Sequence, residues 1–277
     1  MGFDLIFKLS RRALPISLYK AISRSIFGRN RQGTGIAMPQ KISEYYLSQG
    51  LDARNKIVIE VGGGDQIFTA LFFLSWGATK VILVDPVIGK GRNSWVAVLG
   101  EFNRATGKNL EINILKEKIE CYEDLSKVPE IFNGKIGLIC SHFSLEHFRD
   151  LSSFFVQNQR LLLIDGRSHN RIDLSDHTYH VFSKYQLLKS LSAKRSLYHL
   201  RYSDRMFTLL NDPKCYMNRK MIPDYVELSK KFGLIAECKA RNQTKNFKVH
   251  FEILERYPHY SSEDFQVIDF SLDLRLS

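Results

Sequence analysis

The chain contains 277 residues, of which 44% are hydrophobic and 25% are charged. These values match those of soluble globular proteins and exclude a fibrous repeat or a long disordered chain. The length suffices for one large α/β domain with a sizeable core. A formal net charge of +11 favours partners that carry anionic groups, but it does not choose between nucleic acid, a membrane surface and an acidic substrate.

Much of the positive charge lies in a predicted N-terminal part, residues 1–49. Apolar residues recur at helical spacing over 3–27, and Pro15 divides them into two short helices with basic residues on the opposite faces. Two interpretations remain open for these helices. Residues 1–32 either lie in the plane of an anionic membrane surface or form a cap over the following domain. We predict a linker over 33–39 and a further helix over 40–49.

No apolar run near the start is long enough for a signal peptide, because Lys8, Arg11 and Arg12 interrupt it. The four cysteines show no C-x-x-C pair, which excludes a zinc knuckle and a disulfide framework and favours reduced thiols. No stretch reaches the roughly 18 apolar residues of a membrane-spanning helix. We therefore expect a cytoplasmic protein, with peripheral membrane association as the alternative.

From residue 50 to 277, short β-branched runs alternate with helical patterns, which indicates an α/β fold with a mainly parallel sheet. We predict one domain here, with an insertion at about 178–215 that forms an aromatic and basic lid. The predicted strands cover 57–59, 81–84, 112–115, 136–140, 234–236 and 265–272, and the predicted helices cover 67–76 and 225–232.

A glycine-rich loop follows the first of these strands. Glu60 ends the strand region, and Gly62, Gly63 and Gly64 give a backbone that can turn sharply and approach a ligand closely. About 25 residues later, the second strand ends in Asp85, which is placed to accept hydrogen bonds from a ribose diol. This pattern predicts a nucleoside-containing cofactor at the carboxyl end of the sheet.

Two phosphate-containing cofactors fit this loop poorly. A dinucleotide fingerprint needs glycine at position 67, where Ile67 stands, and a P-loop needs Gly-Lys-Ser or Gly-Lys-Thr where Asp65-Gln66 stands. A carboxylate at that point also repels phosphate. S-adenosylmethionine carries a sulfonium cation and no phosphate, so acidic neighbours are compatible with it.

With Glu60-Val61-Gly62-Gly63-Gly64, the sequence resembles the class I S-adenosylmethionine-dependent methyltransferases. The resemblance implies a doubly wound, mainly parallel, seven-stranded Rossmann-like sheet, with the glycines along the methionine portion and Asp85 on the ribose. It also suggests Ile119, within Lys118-Ile119-Glu120, as an apolar contact for the adenine ring. Ser141 and Phe143, at the end of strand four, complete the predicted cofactor site.

The same resemblance extends beyond the cofactor motif. The segment from Ser141 to Phe148 is similar to the Leu-Glu-His-Val segment of many members, and those from Ser168 to His177 and at Asn218-Arg219 resemble a bacterial subgroup associated with sugar, polysaccharide or natural-product modification. This implies O-methylation of a sugar, glycan or other small hydroxylated acceptor. The acceptors compatible with it include phosphorylated and lipid-linked ones.

A hydroxyl acceptor usually needs a base, and histidine titrates nearest neutrality. His142, His147, His169 and His177 are expected along the carboxyl edge of the sheet. Asp176-His177 is our first choice, because a carboxylate can orient an imidazole, and His147 is a second candidate. Since no compact ligand spacing such as H-x-x-x-H is present, we predict no metal, although Glu146, His147, Asp173, Asp176 and His177 include suitable ligand types.

Two other functions remain open from the sequence. The net charge alone supports an RNA methyltransferase, a nucleic-acid function that we favour less than a small-molecule or glycan acceptor. Gln66 and Lys118, which depart from the family pattern, together with the basic amphipathic start, are compatible with a catalytically inactive, membrane-associated scaffold.

Overall fold

A computed structural model describes residues 35–64, 67–88, 95–176, 197–211, 216–244 and 251–277. Several predictions lie outside the described residues. They are the helices over 3–27, the membrane contact of residues 1–32, His177, and the lid apart from residues 197–211. The cap and lid interpretations therefore stay predictions.

The core of the fold is one seven-stranded sheet in the order β3-β2-β1-β4-β5-β7-β6. All neighbouring strands are parallel except β7, which runs antiparallel to both β5 and β6. The strands are β1 (Ile57–Val61), β2 (Lys80–Val84), β3 (Ile119–Tyr122), β4 (Ile136–His142), β5 (Leu162–Asp173), β6 (Leu234–Gln243) and β7 (Val267–Leu276).

Helices cover both faces of this sheet, as the alternation of side chains along the buried strands requires. Val58 points into one apolar cluster, shared with Phe73 and Phe102, whereas its neighbour Ile59 points into the other, shared with Phe154. The helices among the described residues are α1 (Ala37–Ser48), α2 (Phe68–Ser75), α3 (Trp95–Thr106), α4 (Ile112–Lys118), α5 (Leu151–Leu161), α6 (Asp204–Leu210), α7 (Ile222–Lys231) and α8 (Phe251–Arg256). The predicted doubly wound, mainly parallel α/β architecture is confirmed.

One predicted strand is wrong. Residues 112–115 form the start of α4, because Ile112 and Leu115 are spaced three apart and pack together on the α2–α3 side of the sheet. The strand begins directly afterwards, at Ile119.

Other predictions had the wrong bounds, among them the linker over 33–39, because α1 begins at Ala37. β6 continues to Gln243, past the predicted end at 236, because its alternate residues face solvent and carry charges. Phe265 is fully buried in the 3₁₀ turn Asp264–Gln266, and β7 starts only at Val267. No helix in the described ranges is both long and apolar enough to cross a bilayer.

Candidate functional site

The site lies at the carboxyl ends of β1 and β4, where the strand order reverses. Ligands bind at this position in open α/β sheets. The loop after β1 turns at Gly62, whose φ is +83°, and its N–H donates to the carbonyl of Val84 at 2.9 Å. A Cβ at Gly62 would lie 2.0 Å from Oγ of Ser144, in the loop after β4. Only glycine allows these two loops to pack this closely.

Asp85 joins the glycine loop to the end of β2. Its Oδ2 accepts the N–H of Gly64 at 2.9 Å, and its Oδ1 accepts the N–H of Val87 at 2.8 Å. Gly64 itself has a φ of +75°. The structure thus brings together the two parts of the predicted cofactor motif, and it holds the Asp85 carboxylate in a fixed orientation beside the loop.

Glu60 lies buried beneath the loop. Burial raises its pKa to about 8, a hydrogen bond from Thr69 opposes this rise, and the charge of Asp85 adds to it. Its Oε2 has no hydrogen-bond partner among the described residues and lies 3.0 Å from the position of a Cβ on Gly63. A buried carboxyl oxygen in this state is suited to accept a hydrogen bond from a cationic ligand group.

A cavity of about 170 Å³ lies directly above these residues. The floor and walls include Glu60, Gly62, Gly63 and Thr69, and one side is formed by His142 at the end of β4. Met38, Pro39 and Ile42 of α1 also line it. The helix predicted at 40–49 therefore forms part of the site, which its apolar pattern alone did not indicate.

The imidazole of His142 is held among aromatic rings and cations. Its ring centroid lies 5.4 Å from that of Tyr45 and 4.4 Å from that of Phe143. Burial, followed by the charges of Arg171 and His169, lowers its pKa to about 4. Its Nδ1 is buried and has no hydrogen-bond partner among the described residues. His142 is therefore neutral at physiological pH and can bond a ligand in the cavity.

The structure places Ser141 and Phe143 differently from each other. Ser141 is fully buried, and its Oγ donates to Oδ1 of Asn170 at 2.8 Å, which commits the hydroxyl to the neighbouring strand. Phe143 has a φ of +54°, and the guanidinium of Arg171 lies 4.7 Å from its ring centroid. A positive φ in an aromatic residue is strained, and such strain is concentrated at functional sites. Phe143 is the better placed of the two for a ligand contact.

Ile119 lies away from the carboxyl edge. It is the first residue of β3, is buried, and pairs with Val81 near the start of β2. The predicted adenine contact placed Ile119 just beyond a strand at 112–115, whereas residues 112–118 form α4 and the strand follows them. Glu120 is bonded by Lys80 and by the hydroxyl of Tyr122. At the carboxyl end, the Tyr122 carbonyl accepts the N–H of Asp85 at 3.0 Å.

Two of the three predicted catalytic residues are described. Asp176 is fully buried just after β5, and His177 lies outside the described residues. His147 ends the 3₁₀ turn Leu145–His147, and its Nδ1 lies 2.6 Å from the carbonyl oxygen of Tyr216. A carbonyl only accepts, so Nδ1 carries a proton, and in the tautomer with that one ring proton Nε2 is the accepting nitrogen.

Glu146 is buried next to His147. Burial raises its pKa well above the ordinary range, and the charge of Asp173 raises it further. No group of three or more histidine, cysteine, aspartate or glutamate side chains within the described ranges could hold a metal ion. Of the suitable ligand types in the sequence, this finding covers Glu146, His147, Asp173 and Asp176. It does not cover His177, which lies outside those ranges.

A buried hydrogen-bond chain that sequence reasoning did not find links α1 to the sheet. Nδ1 of His169 lies 2.9 Å from Oδ1 of Asp273, and Nε2 lies 3.0 Å from the hydroxyl of Tyr45. Although burial alone would raise the pKa of Asp273, hydrogen bonds from His169 and Arg167 lower it to about 2. Each of the two contacts, Tyr45 to His169 and His169 to Asp273, joins residues more than 100 positions apart, so no local pattern could reveal this hydrogen-bond chain.

A second cavity, of about 620 Å³, is lined in part by residues of the loop after β4. Phe148 and Arg149 of this loop, the start of α5, and residues 216–220 before α7 form part of its wall, and Phe207, Tyr257 and His259 form another part. The amide nitrogen of Asn218 donates to the carbonyl of Leu145 at 2.9 Å and ties this wall to the turn that carries His147.

The chain matches no protein-family model and no curated protein sequence. Among solved structures, it is similar to an S-adenosylmethionine-dependent methyltransferase from Mesorhizobium loti, with 14% identity and a TM-score of 0.48, over 86% of this chain and 99% of that chain. It is also similar to the geranyl diphosphate C-methyltransferase of Streptomyces coelicolor, with 12% identity and a TM-score of 0.48, over 86% of this chain and 78% of that chain. Both similarities are distant, so the function proposed below rests on the residues of the site.

Proposed function

We propose that this protein is an S-adenosylmethionine-dependent methyltransferase that methylates a hydroxyl oxygen of a sugar, glycan or other small hydroxylated acceptor. The observation that supports this most directly is the pairing of the Gly64 N–H with the Asp85 carboxylate. It lies beside a cavity in which one oxygen of the buried Glu60 has no hydrogen-bond partner among the described residues. The sugar or glycan class comes from the resemblance of the segments at 168–177 and 218–219.

The charges of the site favour this cofactor over one that contains phosphate. The Asp85 carboxylate and the buried carboxyl group of Glu60 lie at the loop, and the described residues that line the small cavity include no lysine or arginine. A phosphate here would lack a cationic partner among the described residues, whereas a sulfonium or ammonium group would gain the Asp85 carboxylate and favour the ionised form of Glu60. Gly62 and Gly64 would line the methionine portion, and Asp85 would hold the ribose hydroxyls.

When bound, the cofactor supplies an activated methyl group to an in-line attack by the acceptor oxygen. The chain's own contribution is to position both molecules and to take up the acceptor's proton. We assign proton uptake to His177, oriented by Asp176, with His147 as the second candidate because its Nε2 is the accepting nitrogen. In either case the proton passes from the hydroxyl to an imidazole nitrogen as the new carbon–oxygen bond forms.

Single substitutions separate proton uptake from cofactor binding. His177→Ala is expected to lower methyl transfer by roughly a hundred-fold or more and to leave S-adenosylmethionine affinity nearly unchanged. His147→Ala is the matched variant, with a smaller effect expected. Acceptors are identified by mass spectrometry of metabolites and glycans from cells with and without the protein, as species that gain one methyl group. Full turnover in His177→Ala would exclude His177 as the base.

A further inference from the structure

The 620 Å³ cavity shares the loop after β4 with the cofactor cavity. Ser144 of this loop packs against Gly62, whereas Phe148 and Arg149, a few residues later, line the larger cavity. Its volume lies within the roughly 300–1,000 Å³ typical of small-molecule sites. A ligand there would adjoin the turn that carries His147.

Two arginines of the cavity wall lie over aromatic rings. The guanidinium carbon of Arg219 is 4.3 Å from the ring centroid of Phe207 and 5.8 Å from that of Tyr257. The guanidinium of Arg149 is 5.4 Å from the ring centroid of Tyr216. Such contacts hold the planar guanidinium in a defined orientation, which suits bidentate binding of phosphate.

Of the three carboxylates of the same wall, Asp224 and Asp150 are engaged within the protein, and Glu227 is exposed on α7. Asp224 accepts the N–H of Met221 at 2.8 Å and the ammonium of Lys220 at 3.0 Å, and it is also bonded by Tyr260. Asp150 caps α5 by accepting the N–H of Ser153. Asp224 and Asp150 thus serve to begin two helices, and the exposed Glu227 is matched by Lys231 of the same wall, so the two stacked arginines keep their excess positive charge.

The remaining partner of Arg219 is easily exchanged. Arg219 forms an ion pair with Asp204, whose side chain is 87% exposed, and donates to the carbonyl of Tyr202 at 2.9 Å. An ion pair with so exposed a carboxylate contributes little, because water replaces it at small cost. A ligand phosphate can therefore take the place of Asp204 without leaving a buried charge unpaired.

We propose that this cavity is the acceptor site and that it takes a phosphorylated sugar, with the phosphate on Arg149 and Arg219 and the ring against the aromatic wall. This assignment rests on the proposed methyl transfer, since it names the acceptor of that reaction. The rings of Phe207 and Tyr216 also line the cavity and supply apolar surface beside the guanidinium groups that lie over them.

The test is titration calorimetry of the full chain with glucose 1-phosphate, glucose and inorganic phosphate as separate probes. Glucose 1-phosphate is expected to bind more tightly than either other probe. Arg219→Gln and Arg149→Gln are each expected to weaken its binding by roughly ten-fold or more. Lys41→Gln removes one charge from the exposed face of α1 and is the matched control, with no change expected. Because Arg149 is exposed, its variant is expected to fold normally, and thermal unfolding checks this for Arg219→Gln.

Unchanged affinity for glucose 1-phosphate in both arginine variants would overturn the proposal. Equal affinity for glucose and glucose 1-phosphate would also overturn it, because the arginines would then have no role in binding. So would equal affinity for inorganic phosphate and glucose 1-phosphate, because the aromatic rings would then have none. S-adenosylmethionine is titrated in the same samples. Loss of sugar phosphate binding with normal S-adenosylmethionine binding would reject only the acceptor site. Absence of S-adenosylmethionine binding with normal sugar phosphate binding would reject the methyltransferase function and the role of the cavity as its acceptor site, and would leave only a sugar phosphate site.

Discussion

At the residue scale, Gly62 is the position that tolerates least change. Its positive φ already disfavours any side chain, and an added Cβ would also lie 2.5 Å from Cβ of Ser144, so shortening that side chain would not relieve the contact. Gly62→Ala is therefore expected to lower the free energy of unfolding by about 1–3 kcal/mol and to weaken S-adenosylmethionine binding by roughly ten-fold or more.

Gly100→Ala is the control for this substitution. Gly100 lies within α3, and a Cβ there meets no atom within 4 Å. Alanine is expected to leave stability unchanged or to raise it by about 0.5–1 kcal/mol. Chemical denaturation and calorimetry measure both variants. Equal effects of the two substitutions would contradict the close loop packing described here.

Glu60 makes cofactor binding depend on pH. In the free protein its pKa is about 8, so the carboxyl is largely protonated at neutral pH. A cationic ligand lowers this pKa, so binding near pH 7 releases a proton and the affinity rises as the pH approaches 8. Calorimetry in buffers of different ionisation enthalpy measures the released proton. The Glu60→Gln variant should show a smaller release, and identical proton release in the two proteins would contradict this role.

At the element scale, α1 is held on the sheet by the hydroxyl of Tyr45. Tyr45→Phe removes this group and leaves the fully buried His169 Nε2 without its partner, so the free energy of unfolding is expected to fall by about 1–3 kcal/mol. Because α1 lines the cofactor cavity, S-adenosylmethionine affinity should fall with it. Tyr122→Phe, whose hydroxyl bonds the partly exposed Glu120, is the control with a smaller loss. Denaturant unfolding that shows no difference between the two variants would reject this anchoring.

The sequence indicated most elements because their patterns are local. β1, β2 and β4 are short β-branched runs, α7 has a clear helical periodicity, and α2 is an apolar run that is buried from Phe68 to Leu74. α4 was misread because four residues with apolar ends fit a strand and a helix turn equally well. β6 was cut short because an edge strand with one solvated face carries charges that interrupt an apolar run.

At the scale of the whole molecule, the sequence predicted the loop and its acid but not the walls around them. Gly62–Gly64 and Asp85 form one motif on adjacent strands, and spacing alone brings them together. Tyr45 and His142 come together through tertiary packing of distant parts of the chain. The same is true of Arg219 and the aromatic rings around it in the larger cavity. Their chemistry is visible in the sequence, but their proximity depends on the strand order β3-β2-β1-β4-β5-β7-β6.

Calorimetric titration of the full chain with S-adenosylmethionine tests the central claim most directly. We expect saturable binding to the wild-type protein, at least roughly ten-fold weaker binding to Asp85→Ala because the ribose loses its acceptor, and unchanged binding to Lys41→Gln. Absence of binding to the wild-type protein, or equal affinity in Asp85→Ala, would contradict the assignment of this loop as a methyltransferase cofactor site.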